Sequence, residues 1–123
     1  MYTLDTNIII YHFHNDLGVR EFMNSVSTSS TPIYISAITI AELLRFPDLS
    51  VKEEVSILEL LPMFSIIPFD LQIAKEAGLF GRKYNLKLAD SIIAATTLFT
   101  NSTLVTRNIK DFKKIPNLSL LKI

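Results

Sequence analysis

Apolar residues recur along this chain in short blocks, each broken by polar or turn-forming residues. Met1 to Leu4 has strand composition and runs into Asp5-Thr6-Asn7, a helix-capping sequence, after which Ile8, Ile9 and Ile10 enter a helix. Ser25 to Thr31 is polar and low in complexity, and reads as a loop. Pro32 opens a second strand, Ile33 to Ser36. The helix that follows carries Ile38, Ala41, Leu43 and Leu44, takes Ser36 or Thr39 as its cap, and ends at Pro47. Lys52 to Leu61 reads as another helix, stopped near Pro62. Phe64 to Phe69 is a third strand, with Pro68 tolerated near its edge.

Asp70 then resembles an N-cap for a helix running towards Tyr84, with Ile73, Ala77 and Phe80 on its inner face. Gly78 and Gly81 weaken that helix, and Asn85 terminates it. Leu88 to Phe99 has the clearest helical pattern in the chain, and Thr103 to Thr106 the clearest late strand. Ser119 to Ile123 is a short final strand. This repeated strand–helix alternation predicts an α/β fold, a parallel sheet covered by helices. No internal repeat or linker divides it, so residues 1–123 are expected to form one domain. In open sheets of this kind, ligands gather outside the carboxyl ends of the strands. Asp5 and the turn from Thr106 to Asp111 fall at such ends, and Glu42 and Asp90 lie on helices starting close by.

Composition narrows the functional classes. The chain is 49% hydrophobic with a mean hydropathy of +0.35, an excess that suits a surface destined for a partner or a second copy. No apolar segment approaches the roughly 20 residues needed to span a bilayer. There is no basic n-region and no long h-region, so a cytoplasmic protein without a membrane role is expected. With no cysteine there is neither a disulfide framework nor a thiolate zinc site. Twelve basic and 12 acidic side chains cancel, which argues against a strong non-specific grip on nucleic acid. The distribution is less even. Lys75, Arg82, Lys83 and Lys87 precede Asp90, and Arg107, Lys110, Lys113 and Lys114 crowd the C-terminal part.

The conspicuous residues are acids set among apolar neighbours. Asp5 closes the first strand, Glu42 splits Ile38-Thr39-Ile40-Ala41 from Leu43-Leu44, and Asp90 opens the run from Ile92 to Phe99. Two carboxylates about 4 Å apart repel by roughly 4 kcal/mol at an effective dielectric of about 20. A cluster of them must take up protons or bind a hard divalent cation such as Mg²⁺ or Mn²⁺. Such a site can activate water against a phosphodiester, with one ion or with two roughly 3.5–4 Å apart.

Leu4-Asp5-Thr6-Asn7, Thr39-Ile40-Ala41-Glu42-Leu43, Leu88-Ala89-Asp90-Ser91-Ile92-Ile93-Ala94-Ala95 and Leu104-Val105-Thr106-Arg107-Asn108-Ile109-Lys110-Asp111-Phe112 together resemble the four motifs of the PIN-domain ribonucleases. Within them the likeness is to the VapC-type toxins of prokaryotic toxin–antitoxin modules, and it covers essentially the whole chain. The resemblance implies an α/β/α sandwich and a Mg²⁺- or Mn²⁺-dependent endoribonuclease that leaves 5′-phosphate and 3′-hydroxyl ends. It also implies a cognate antitoxin lying over the groove, and a homodimer. Carried over by position, Asp5 and Asp90 are the principal metal ligands, and Glu42 completes the site or orients the attacking water. Asn108 stands where an acid is frequent and is assigned to water or phosphate, with Asp111 at the edge of the metal shell. The hydroxyls of Thr6 and Thr106 are assigned to the ligands as hydrogen-bond donors. Arg107 is the basic residue best placed to touch an RNA phosphate.

Competing readings rest on the same residues. Asp5 and Asp90 suit helix N-termini without any metal, and Glu42 can pair with Arg45. An inert PIN-like binding module is favoured by neutrality and by Asn108. A housekeeping RNA-processing nuclease and a phosphoryl-transfer domain with Asp5 as nucleophile are the remaining alternatives. His12 and His14 point apart at helical spacing, and Phe64, Phe69, Phe80 and Phe99 read as core.

Overall fold

Thr3 and Leu4 occupy opposite sides of the strand β1 (Tyr2–Leu4), and both are fully buried, so β1 has helices against each face. In the computed structural model, which describes residues 1–123, β1 is the middle of a five-stranded parallel sheet. The other strands are β2 (Ile33–Ser36), β3 (Ser65–Ile67), β4 (Thr103–Val105) and β5 (Leu120–Leu121), in the spatial order β3-β2-β1-β4-β5. Tyr2 stands opposite Ile33 on one side and Thr103 on the other, and Leu4 lies opposite Val105. Parallel neighbours need long crossovers, which the helices supply.

Seven helices do this: α1 (Thr6–Phe13), α2 (Leu17–Ser27), α3 (Ala37–Leu44), α4 (Val51–Leu60), α5 (Leu71–Tyr84), α6 (Leu88–Phe99) and the single turn α7 (Ile109–Phe112). On one face of the sheet, Leu4, Ile35 and Val105 pack with Ile8, Ile9, Val19, Met23, Leu43 and Ile57 from α1 to α4. On the other, Leu104 packs with Ile73, Phe80, Ile92, Ile93 and Phe112 from α5, α6 and α7. The result is the expected helix–sheet–helix sandwich.

Short-range chemistry starts and stops these helices. Asp16 accepts from the Val19 amide to begin α2, Ser50 and Glu53 form a reciprocal capping box on α4, and Asp70 accepts from the Ile73 amide to begin α5. Asn85 ends α5 in the left-handed region at φ 53°. Helix α6 is buried from Ser91 through Thr97, and so must be covered on all sides. Its Thr96 and Thr97 hydroxyls donate to the carbonyls of Ile92 and Ile93, which satisfies them inside the core.

Several boundaries differ from the sequence reading. The run from Ser25 to Thr31 is not all loop, because α2 continues to Ser27. Buried Val26 anchors that last turn, and the Ser25 and Ser27 hydroxyls donate to the carbonyls of Phe22 and Asn24. Ser36, not Thr39, caps α3; its oxygen accepts from the Ile38 amide at 3.2 Å. The third strand is only Ser65–Ile67, an edge strand, since Phe64 turns into the core and Pro68 has no amide to offer. The turn after Thr106 contains α7, held down by fully buried Phe112. No helix is long and apolar enough to cross a membrane.

Candidate functional site

Helices α1, α3, α6 and α7 all begin at one rim of the sheet, beyond the carboxyl ends of β1, β2 and β4. Their N-terminal dipoles favour negative groups there. Asp5 is the first residue past the central strand. Its amide still bonds to the Val105 carbonyl at 3.1 Å, which locks it to the sheet, and it is only 4% exposed. Its carboxylate makes no capping hydrogen bond to α1, so capping does not account for it. Oδ2 instead accepts from the Thr106 hydroxyl at 2.8 Å. Burial pushes the Asp5 carboxyl above its ordinary range and the charge of Glu42 pushes the same way. The Thr106 hydrogen bond and the backbone amides of Thr6 and Asn7 oppose this.

Glu42 reaches the same rim from the second turn of α3. Its Oε2 accepts from the Thr6 hydroxyl at 2.5 Å, and Thr6 is in turn 3.0 Å from the Thr39 hydroxyl. This chain of two buried threonines orients the carboxylate and leaves Oε1 outside the network. Asp90 stands in the first turn of α6, half-buried. Its carboxyl is pushed up to about 6, first by burial and then by the charges of Asp5, Glu42 and Asp111, with Lys87 opposing. Four acids separated by up to 106 residues therefore act on one another through space.

The final motif is tied into this arrangement. Thr106 Oγ1 donates to Asp5 and accepts from the Asn108 amide at 2.9 Å. The Asn108 side-chain amide donates to Asp111 Oδ2 at 3.0 Å. That hydrogen bond holds the Asp111 carboxyl below its ordinary range, helped by Lys114 and Lys110. Asn108 thus orients an acid in place of being one.

Arg107, expected to face an RNA phosphate, is bound within the protein. Its two terminal nitrogens bind Asp16 at 2.6 and 2.9 Å, Nε donates to the Ile123 carbonyl at 2.8 Å, and the guanidinium lies 4.6 Å from the centre of the Tyr11 ring. With three of its five N–H groups engaged in this way, Arg107 ties the start of α2 and Ile123 to the rim, and Asp16 offsets its charge. The pair holds the Asp16 carboxyl down at about 2. His12 and His14 lie near the far end of α1, roughly 10 Å along the axis from its start.

Sequence reasoning missed Thr39 and Asp16. Thr39 was findable, since it sits one helical turn before Glu42. Asp16 carried no signal, because its partner is 91 residues away. A hollow lined by Ile10, Phe13, Leu49 and Ile57 includes none of the rim acids.

No three of these acids stand close enough to enclose a bare ion between them. Mg²⁺ does not require three, since it keeps several waters and takes one or two carboxylates directly. The donor set is all oxygen, burial and then neighbouring charge disfavour the ionised forms of Asp5 and Asp90, and a cation offsets both effects. The residues fit a hydrated hard cation.

A family model for the PIN domain matches residues 2–118. The chain is 33% identical to Ribonuclease VapC2 of Rickettsia felis, over 98% of this chain and 96% of that protein. Its fold is similar to a crystal structure of VapBC2 from Rickettsia felis bound to a DNA fragment from their promoter, with a TM-score of 0.83 and 30% identity over 99% of this chain and 98% of the other. It is also similar to VapBC-1 from nontypeable Haemophilus influenzae, with a TM-score of 0.81 and 27% identity over 98% and 96% of the two chains.

Proposed function

The chain belongs to the PIN-domain family, and from that premise we propose that it is a metal-dependent endoribonuclease, the toxic component of a type II toxin–antitoxin module. One observation carries the reading: acids from the end of β1 and from α3, α6 and α7 gather at a single rim, where burial first and neighbouring negative charge next raise the proton affinity of Asp5 and Asp90. Asp5 and Asp90 would hold Mg²⁺ or Mn²⁺, with Glu42 joining them directly or through water. Bound there, the ion supplies the positive charge that acidifies water and offsets the charge of a phosphodiester.

The chain's own groups do the rest. Thr106 fixes the Asp5 carboxylate and Thr6, backed by Thr39, fixes Glu42. With Oε2 taken by Thr6, Glu42 has Oε1 to accept a hydrogen bond from the attacking water and to receive its proton. Asn108 keeps Asp111 turned along the rim. Water oxygen bonds to phosphorus as the bond to the leaving 3′-oxygen breaks, which gives 5′-phosphate and 3′-hydroxyl products. The experiment is purified protein with cellular RNA, with and without Mg²⁺ and with EDTA. Cleavage that needs the metal and vanishes in an Asp5→Ala, Asp90→Ala double variant is expected; metal-independent cleavage, or a fully active double variant, refutes the proposal.

The antitoxin is proposed on the likeness to VapBC complexes. Growth arrest on expressing this chain alone, relieved by a small protein encoded beside it, is the corresponding test. A homodimer is proposed on the exposed apolar side chains of Leu71 and Leu79 on α5 and Leu88 on α6, and sedimentation equilibrium tests it.

A further inference from the structure

A phosphodiester approaching four carboxylates is repelled unless cations line part of its path. The Arg107 charge is offset by its bidentate pairing with Asp16, so further positive charge is sought among the other side chains. The two flanks of the rim differ sharply. On the Glu42 flank, neither α1 (Thr6–Phe13) nor α3 (Ala37–Leu44) contains a lysine or arginine, and Arg45 follows only beyond the end of α3, away from its rim end.

On the other flank, Lys87 is the residue that begins α6, one turn before Asp90, and its side chain is exposed. Lys110 lies in α7 next to Asp111 and is also exposed. Lys114 stands 3.7 Å from Asp111, a loose contact that leaves its ammonium largely in solvent. Phe112 of α7 packs in one core with Ile92 and Ile93 of α6, so the starts of α6 and α7 are near each other at this side of the rim.

We propose that Lys87 and Lys110 grip the RNA backbone on the α6–α7 flank, each binding a phosphate next to the scissile one, with Lys114 adding to the field. The strand therefore lies over α6 and α7 and not over α1 and α3. A lysine suits this role because its compact ammonium follows a phosphate without demanding one geometry. The assignment rests on the nuclease reading above and supplies the substrate grip that Arg107 does not.

The test compares Lys87→Gln, Lys110→Gln with the control Lys52→Gln, Lys75→Gln, which changes net charge equally on α4 and α5. The full-length variants cleave a short labelled single-stranded RNA at fixed Mg²⁺ across a salt series, and anisotropy follows binding of the same RNA in EDTA. The expected result is a raised KM with nearly unchanged kcat, weaker binding, and a salt dependence of log affinity shallower by about 1.4, roughly 0.7 per lost contact on a single strand. A fourfold rise in salt then costs the double variant about sevenfold less affinity than it costs the parent protein. Lys87→Arg, Lys110→Arg should restore KM. Unchanged KM and salt dependence, or an equal effect in the control, overturns the assignment. RNA that binds in a lysine-dependent way and is never cut overturns the nuclease reading and leaves the lysine contacts standing.

Discussion

Asp90→Asn should stabilise the metal-free protein while abolishing its response to Mg²⁺. The carboxyl of Asp90 is pushed up to about 6 from an ordinary value of 3.8, first by burial and then by Asp5, Glu42 and Asp111. A shift of that size corresponds to about 3 kcal/mol of penalty on the charged form. The side chain is half-buried and solvent screens part of this, leaving roughly 1–2 kcal/mol. Because the folded state holds the Asp90 proton more tightly than the unfolded state, this group's penalty is absent below the unfolded value. It grows as the pH rises through the interval between 3.8 and about 6, and is fully present above it. For 123 residues the unfolding entropy is about 0.26 kcal/mol/K, so the variant should melt about 4–8 °C higher near neutral pH.

The assay is thermal denaturation by circular dichroism in EDTA, at roughly pH 7.5 and pH 5. The gain should shrink at the lower pH, where the parent protein is itself largely protonated at Asp90. Added Mg²⁺ should raise the Tm of the parent and leave the variant unmoved. A variant that melts at or below the parent in EDTA near neutral pH refutes the reasoning, because the ionised Asp90 would then carry no penalty from burial and neighbouring charge.

Three further outcomes test other parts of the site. Thr106→Val keeps the shape but removes the hydroxyl shared by Asp5 and the Asn108 amide, and should cost about 1–3 kcal/mol in a buried setting. Mg²⁺-dependent cleavage should fall by about 10–100-fold, as for other lost supports of a ligand, and normal activity with normal Mg²⁺ dependence would count against the role given to Thr106. Arg107→Ala should lower the Tm, and Lys at that position should recover only part, since one ammonium cannot span both Asp16 oxygens and the Ile123 carbonyl. The Asp16 contribution is present above its ordinary pKa and lost as the pH falls through about 2, so an acid titration of Tm should show it in the parent and not in Arg107→Ala. Phe112→Ala should cost about 3–5 kcal/mol, and a thermal melt within a degree or two of the parent would show that α7 is not anchored by that ring.

What the amino-acid order determined alone was whatever acts over one or two helical turns. Asp70 and Asn85 bound α5 with a neighbour's amide and one backbone angle, and α4, α5 and α6 were all legible with boundaries nearly correct. The buried run of α6 follows from apolar spacing in the same way. The acids at positions 5, 42 and 90 stood out for a related reason, that apolar flanks make an isolated charge costly. Their convergence was an expectation from the strand–helix alternation and the motif resemblance.

Only the tertiary structure decided how the rim is wired. Thr106 and Asp5 are 101 residues apart, Thr6 and Glu42 are 36 apart, and Arg107 and Asp16 are 91 apart. Each pair exists because the sheet order places β1 between β2 and β4 and brings their carboxyl ends to one edge. Arg107 shows the consequence most plainly. Read along the chain it is a free cation beside a catalytic motif; in space, an aspartate from another helix, an aromatic ring and the last carbonyl lie within reach. A charged fork takes the partners that geometry offers, and one-dimensional spacing carries no information about partners that arrive from the other end of the molecule.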